Sequence, residues 1–334
     1  MDHESRIHIG FLIFEGFPMA CLTSMIEPLR AANEIANQPA FAWTLIGEKK
    51  GRVMSSAQVA FEATQSLAEA NDLDSLFLLS SPTERFADAQ KSPATLRSLA
   101  RHGVTLGSIS GGVFPLVRAG IVHRQPVSVH WCYEAAFRAE FPDVDARSDV
   151  IVASARLQTV SGAAAAFDLA LRLVEGQLGR ETAHEVACWF QHPSMRGEGV
   201  RQKVPVAQAP HTGDDLPDLV LRAVDIFASR ISDAVTVAEV ARKTGVTPRQ
   251  VERAFKAATG QSPTHYYRAM RMKAARQLVI YSGDAIADIA AAVGYGSSVP
   301  LVSHYKAAFG VTPQQDRRRA NQFRVDANKP VPSI

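Results

Sequence analysis

Arginine and glutamine side chains carry paired hydrogen-bonding groups that match the edges of guanine and adenine in a DNA major groove. They cluster in Arg249-Gln250-Val251-Glu252-Arg253-Ala254-Phe255-Lys256. Val251 and Phe255 lie four residues apart, so on a helix they share one face, packing inward with Val237 and Val240. That arrangement leaves Arg249, Gln250, Glu252, Arg253 and Lys256 facing outward. Arg249 and Arg253 are the leading base-reading candidates. Lys256, Arg268, Arg271 and Lys273 suit phosphates, which position a protein without conveying sequence. A charged helical face is equally what a solvated bundle presents, so the decision rests on how the helix is delivered.

Delivery is written in the flanking residues. Thr236-Val237-Ala238-Glu239 is a capping box, and Gly245 stands where a chain leaves a helix in the left-handed conformation. Thr247-Pro248-Arg249-Gln250 is a second box with proline in the favoured first turn. Two short helices joined this tightly form a helix-turn-helix. The pattern returns about 50 residues later, with Gly294 answering Gly245, Tyr305 answering Phe255, and Gly310-Val311-Thr312-Pro313 answering Gly260-Gln261-Ser262-Pro263. In the second copy Asp284 is expected to cap Ala285 to Val293. Ser297 or Ser298 is expected to cap a helix holding Pro300, Leu301, Tyr305 and Lys306. Ser297, Ser298, His304 and Lys306 are its DNA-contact candidates, and its outer face is poorer in arginine. Two such helices on one rigid linker enter successive major grooves about 34 Å apart.

A different chemistry is possible near the front of the chain. Val104 to Ser110 reads as a buried strand running into Ser110-Gly111-Gly112 and a helix, a tight elbow of the kind that presents a nucleophile. His130, followed by Trp131, is a possible base, which keeps an amidase or hydrolase using Ser110 and His130 as the rival reading. Against it, no carboxylate is placed by sequence to orient the histidine, and the elbow lacks the G-x-S-x-G form. His184, Cys188 and His192 also share one helical face, a spacing that can bind metal, but no fourth ligand accompanies them and Trp189 and Phe190 suggest ordinary packing. No cofactor or metal is expected.

The elements that carry these residues fall into two blocks. Arg6 to Phe14, Phe41 to Gly47, Leu73 to Ser80 and Val104 to Ser110 read as strands, alternating with helices at Met19 to Asn37 and Ala163 to Leu178. This pattern implies an α/β doubly wound, flavodoxin-like sandwich. Beyond a Pro- and Gly-rich stretch the chain reads as all-α, with helices at Leu219 to Ser229 and Thr264 to Tyr281 beside the two helix-turn-helix motifs. The expected divisions are a ligand-sensing domain at 6–195, a linker at 196–216, a DNA-binding domain at 217–322 and a disordered tail at 323–334. From Leu216 onward there are 17 Lys and Arg against nine Asp and Glu, a net +8. The earlier residues carry −5, and the two sum to the +3 of the whole chain. An excess of basic charge confined to the helical block is the footprint of phosphate binding. Three scattered cysteines without CxxC spacing argue against a zinc ribbon or a disulfide framework. The first residues lack the order of a signal peptide and no apolar run is long enough to span a bilayer, so a cytoplasmic protein is expected.

Residues 217 to 322 resemble the DNA-binding domain of the AraC/XylS family of transcription regulators. The resemblance rests on Val251-Glu252-Arg253-Ala254-Phe255, Gly260-Gln261-Ser262-Pro263, Arg271-Met272-Lys273-Ala274-Ala275-Arg276, Ile286-Ala287-Asp288-Ile289-Ala290, Gly294-Tyr295 and Phe309-Gly310-Val311-Thr312-Pro313. The family commonly places an arginine where Ser303 stands. Residues 6 to 195 resemble the class I glutamine-amidotransferase-like, PfpI-like domain of GlxA-type regulators. That resemblance rests on Ile26-Glu27-Pro28-Leu29-Arg30-Ala31-Ala32-Asn33, Val129-His130-Trp131, Phe141-Pro142-Asp143, Thr159-Val160-Ser161-Gly162 and Phe167-Asp168-Leu169. Enzymes of that fold use an elbow cysteine with a nearby acid. Here Ser110 holds the elbow and Cys21 stands near the acid's expected place, so the resemblance implies a site retired from catalysis. A retired pocket suits a sensor, with elbow N–H groups for a carboxylate and aromatics for a cation. Phe17, Ser110, Gly111, Phe114, His130 and Trp131 are its candidate members, with core packing the alternative for the phenylalanines. The resemblance implies a regulator of promoter DNA governed by a small nitrogenous effector such as a betaine, carnitine or amino acid. A homodimer is expected, with RNA polymerase as a partner where it activates, and no membrane partner.

Overall fold

The computed structural model describes residues 6–192, 195–202 and 216–325, with side chains through Arg319. These fall into two compact units divided in the chain between Gln202 and Lys203. Residues 196–202 of the expected linker belong with the first unit, whereas 203–215, and 326–334 of the expected tail, lie outside the described residues.

The first unit runs β1 (Ile7–Ile13), α1 (Met19–Ile35), β2 (Phe41–Gly47), the hairpin of β3 (Gly51–Met54) with β4 (Ala60–Ala63), and β5 (Gln65–Ser66). It continues with β6 (Ser75–Ser80), α2 (Lys91–Arg101), β7 (Thr105–Ser110), α3 (Val113–Arg118), β8 (Val127–Ser128), α4 (Glu134–Glu140) and β9 (Ala146–Arg147). Then come β10 (Ile151–Ala153), β11 (Leu157–Val160), α5 (Ala163–Leu178) and α6 (Arg180–Trp189). Seven strands form one sheet in the order β10-β11-β7-β6-β1-β2-β5, parallel throughout except for the β10–β11 edge pair. The parallel centre explains its sequence. Central strands covered on both faces must be apolar along their length, and Leu76 to Leu79 of β6 are all 0% exposed. Helices α1, α5 and α6 share one core with the sheet. The fold is the doubly wound α/β type.

Strand order reverses at β1, because β2 lies on one side of it and the later β6 on the other. Ligands of open parallel sheets bind outside the carboxyl ends of the strands at such a switch point. Here those ends are Phe14, Ser80 and, one strand further, Ser110.

The second unit is helical: α7 (Asp218–Ser229), α8 (Val237–Thr244), α9 (Pro248–Thr259), α10 (Pro263–Tyr281), α11 (Ile286–Ala292), α12 (Ser298–Phe309) and α13 (Pro313–Val325). Its first half closes over a core of Val220, Ala223, Phe227, Val240, Val251 and Phe255, with Tyr267 stacked on Phe227 at 4.4 Å.

Candidate functional site

The first helix-turn-helix is built as its sequence dictates. Thr236 Oγ1 accepts from Glu239 N–H while the Glu239 carboxylate accepts from Thr236 N–H at 2.8 Å, closing the box that starts α8. Gly245 ends α8 at φ 74, a left-handed conformation that costs a residue with a Cβ about 1–2 kcal/mol. Thr247 then starts α9 in a second box with Gln250. Val251 and Phe255 are fully buried, and Arg249, Gln250, Glu252, Arg253 and Lys256 are exposed.

Two of these exposed groups are partly committed. Gln250 Oε1 accepts from Thr247 N–H at 2.8 Å and from its hydroxyl at 2.9 Å. The carboxamide therefore cannot offer adenine both its oxygen and its nitrogen while the cap is closed. Lys256 Nζ donates to Gly260 O at 2.9 Å, satisfying a carbonyl at the end of α9. Arg249 and Arg253 show no such tie.

The second motif departs further from expectation. Asp284 does not cap α11; Ala285 holds the N-cap position and supplies no side-chain acceptor. Ser297 holds the N-cap of α12, yet its side chain makes no capping bond. The reason is Pro300. It occupies the third helical position, where the amide that a capping oxygen usually accepts from is missing. His304, expected on the reading face, is half-buried, with Nδ1 in a 2.8 Å hydrogen bond to the Tyr295 hydroxyl. Burial, with Arg268 and Arg271 nearby, holds its pKa below the usual imidazole value.

Arg271 and Lys273, expected at phosphates, are both partly withdrawn from solvent. Arg271 Nε donates to Val293 O at 2.6 Å and Nη2 donates to Gly294 O, with the guanidinium 4.1 Å over the Tyr295 ring. It ties α10 to the turn of the second motif. Lys273 is half-buried, and desolvation pushes its pKa down. Sequence reasoning saw a basic stripe, but helical spacing cannot tell an arginine that braces carbonyls from one facing solvent.

In the first unit the elbow is present. Ser110 is in the left-handed region at φ 56 and is 6% exposed. The following glycines serve packing: a Cβ on Gly111 would stand 2.4 Å from Ser80 O, and one on Gly112 only 1.9 Å from Leu78 O. Close approach of the elbow to β6 therefore requires both glycines. Phe17 and Phe114, expected in the pocket, are fully buried packing residues. Phe17 meets Phe61 edge-on at 5.2 Å, and Phe114 meets Phe137 at 5.2 Å.

His130 is half-buried between Trp131 and Tyr133, with ring centroids at 5.4 and 5.6 Å. Its Nδ1 lies 2.9 Å from Cys132 Sγ and accepts from Cys132 N–H at 3.2 Å. An accepting Nδ1 assigns the proton of the neutral ring to Nε2. Burial pushes the His130 pKa down to about 4 and the Cys132 and Cys21 thiols up to about 12. All three are thus neutral near pH 7, and the nitrogen that a base would use is turned to Cys132 rather than to Ser110.

Two constellations escaped the sequence reading. Asp168 is 0% exposed, accepting from His192 Nε2 at 2.7 Å, Arg196 Nε at 2.8 Å and Arg196 N–H at 3.2 Å. His192 is therefore drawn away from His184 and Cys188, and the described residues hold no cluster suited to a metal. Gln202 straddles His130: its Oε1 accepts from Trp131 N–H at 2.9 Å and its Nε2 donates to Val129 O at 2.7 Å. Its own N–H donates to Ser148 O at 2.8 Å, and Val150 N–H donates to Val200 O at 2.8 Å. The end of the first unit is thus fastened to the two peptides that flank His130.

Comparison with known proteins agrees with both units. Residues 240–319 match a family described as a helix-turn-helix domain. The chain is similar to the HTH-type transcriptional regulator GlxA of Rhizobium meliloti (strain 1021), 30% identical over 321 residues that cover 96% of this chain and 98% of that protein. It is also similar to the HTH-type transcriptional regulator GbdR of Pseudomonas aeruginosa (strain UCBPP-PA14), 27% identical over 93% of this chain and 84% of that protein. A putative transcriptional regulator protein from Vibrio parahaemolyticus, 17% identical with a TM-score of 0.50, covers 55% of this chain and 99% of its own and shares the fold. Among the described residues no helix is long and apolar enough to cross a membrane. With a helix-turn-helix match in the basic unit and a full-length regulator at 30% identity, the chain belongs to the AraC/XylS family of DNA-binding transcription regulators, in its GlxA-type branch.

Proposed function

We propose that this regulator works in the cytoplasm as a homodimer, placing α9 and α12 of each copy in promoter DNA under the control of a small effector held beside Ser110 and His130. Where it activates, RNA polymerase is its further partner. The observation that carries the DNA reading is the exposure of Arg249 and Arg253 on a helix whose start and end are fixed by caps. Enrichment of a site from random duplex DNA by the full chain tests it. Arg253→Ala is expected to weaken that site by about 1–3 kcal/mol and relax base preference at one position. Equal binding by variant and parent removes Arg253 from the reading face.

For the effector we infer a carboxylate compound with a cationic nitrogen, such as a betaine, carnitine or an amino acid. Support comes from His130, whose Nε2–H is a neutral donor for a carboxylate, and from Trp131 and Tyr133 beside it, whose ring faces attract cations. A neutral imidazole adds no repulsion to a cationic group. Gln202 supplies the link onward, since a ligand that shifts the Val129 or Trp131 peptide strains both bonds to the segment leading toward the DNA-binding unit. Thermal unfolding of the full chain against such compounds is expected to find one that raises the transition temperature by several degrees. In Gln202→Ala that stabilisation persists while its effect on DNA binding is lost. A compound whose effect on DNA binding survives in Gln202→Ala rules out this link.

A further inference from the structure

The two reading helices share one register, because each has 12 residues and the N-cap position, the buried positions and the closing glycine of one recur in the other 50 positions on. Thr247 and Ser297 hold the N-caps, and Gly260 and Gly310 end the helices at φ 71 and 74. Val251 and Leu301, then Phe255 and Tyr305, are 0% exposed. That register puts Val299 where the first copy has Arg249, Pro300 where it has Gln250, and Ser303 where it has Arg253.

Val299 is 76% exposed, more than any other large apolar side chain found exposed among the described residues. A lone exposed valine is ordinary. Its position is not, because first-turn residues of a recognition helix meet base edges. The tip of α12 also offers no paired donors: Pro300 has no amide hydrogen, Ser303 is short, and Lys306 lies in the last turn. A major groove displays one apolar group, the C5-methyl of thymine. Since Pro300 leaves the Ser297 hydroxyl without its usual capping partner, that hydroxyl is available to a phosphate at the same helix end.

We propose that Val299 is a specificity-determining residue that reads a thymine methyl group, so that the two helices read different chemistry from equivalent positions. Arg249 takes a guanine, and Val299 takes a thymine about one helical turn away. The proposal rests on the DNA-binding reading given above.

The test removes the methyl without touching the protein. Full-length chain is used to enrich a duplex site, and each thymine of that site is replaced in turn by deoxyuridine. At one thymine in the part of the site away from the Arg249-dependent guanine, wild type is expected to lose about threefold to fivefold in affinity, the effect of burying one methyl group. Val299→Ser is expected to bind thymine and deoxyuridine there equally, and Arg249→Ala to keep the difference while losing its guanine preference. Wild type that is indifferent to deoxyuridine at every position overturns the proposal and leaves the DNA-binding reading intact. A thymine preference that persists in Val299→Ser overturns it too. Failure of wild type to enrich any sequence overturns both.

Discussion

Gly112→Ala is expected to destabilise the first unit by about 3 kcal/mol or more, enough to leave much of it unfolded where total stability is about 5–15 kcal/mol. The added Cβ would lie 1.9 Å from Leu78 O and 2.6 Å from Leu78 C, both backbone atoms of the central strand β6. No rotamer change relieves that contact, so strand and elbow would have to separate. All three tryptophans, Trp43, Trp131 and Trp189, precede residue 203, so urea unfolding followed by indole fluorescence reads this unit alone. Ser110→Gly supplies the contrast under the same measurement. It relieves a left-handed φ of 56 and should be neutral or stabilising by up to about 1 kcal/mol. An unchanged urea midpoint for Gly112→Ala would show that the elbow can move off β6. The strain kept at Ser110 would then have to come from elsewhere.

That contrast also shows what can be read from residue types. The elbow was legible because a continuous apolar strand ended in Ser-Gly-Gly, and both capping boxes because Thr-x-x-Glu and Thr-x-x-Gln act locally. Strand β2 at Phe41–Gly47 and helix α5 at Ala163–Leu178 follow the pattern residue for residue. The β10–β11 edge and the β3–β4 hairpin did not stand out, because strands of three or four residues are too short to show a period of two. Long-range partners were the other blind spot. Nothing near Gln202 hints that it binds the peptides around His130, 73 and 71 residues away. Arg271 reads as one more basic residue until its carbonyl partners 22 and 23 positions on are seen. Pro300 carries a readable signal, since a proline three residues after Ser297 removes the amide from which a capping hydroxyl usually accepts.

Asp168→Ala is expected to cost the first unit about 3 kcal/mol, because it leaves the Arg196 guanidinium beside a cavity with no counter-charge and His192 Nε2 without its partner. The carboxylate is 0% exposed and accepts three hydrogen bonds, whereas the Arg196 side chain retains 34% exposure, which keeps the expected cost toward the lower end for a broken buried pair. A simple cavity would predict less. The two causes separate in a second variant: Asp168→Leu with His192→Leu and Arg196→Met replaces the whole ionic group by apolar volume and should recover most of the loss. The consequence for regulation comes from where the carboxylate sits. Asp168 lies in the middle of α5, one of the helices packed on the sheet, and through Arg196 it fixes the chain six residues before Gln202 fastens it beside His130. Loss of this tether should therefore raise hydrogen exchange at the amides of residues 195–202 well beyond those of β6 and β7. If Asp168→Ala unfolds with an unchanged urea midpoint and leaves exchange at 195–202 as it was, the segment is held by Gln202 and its strand-like bonds alone. The buried carboxylate is then a packing feature of α5 and α6 rather than part of the link proposed for Gln202.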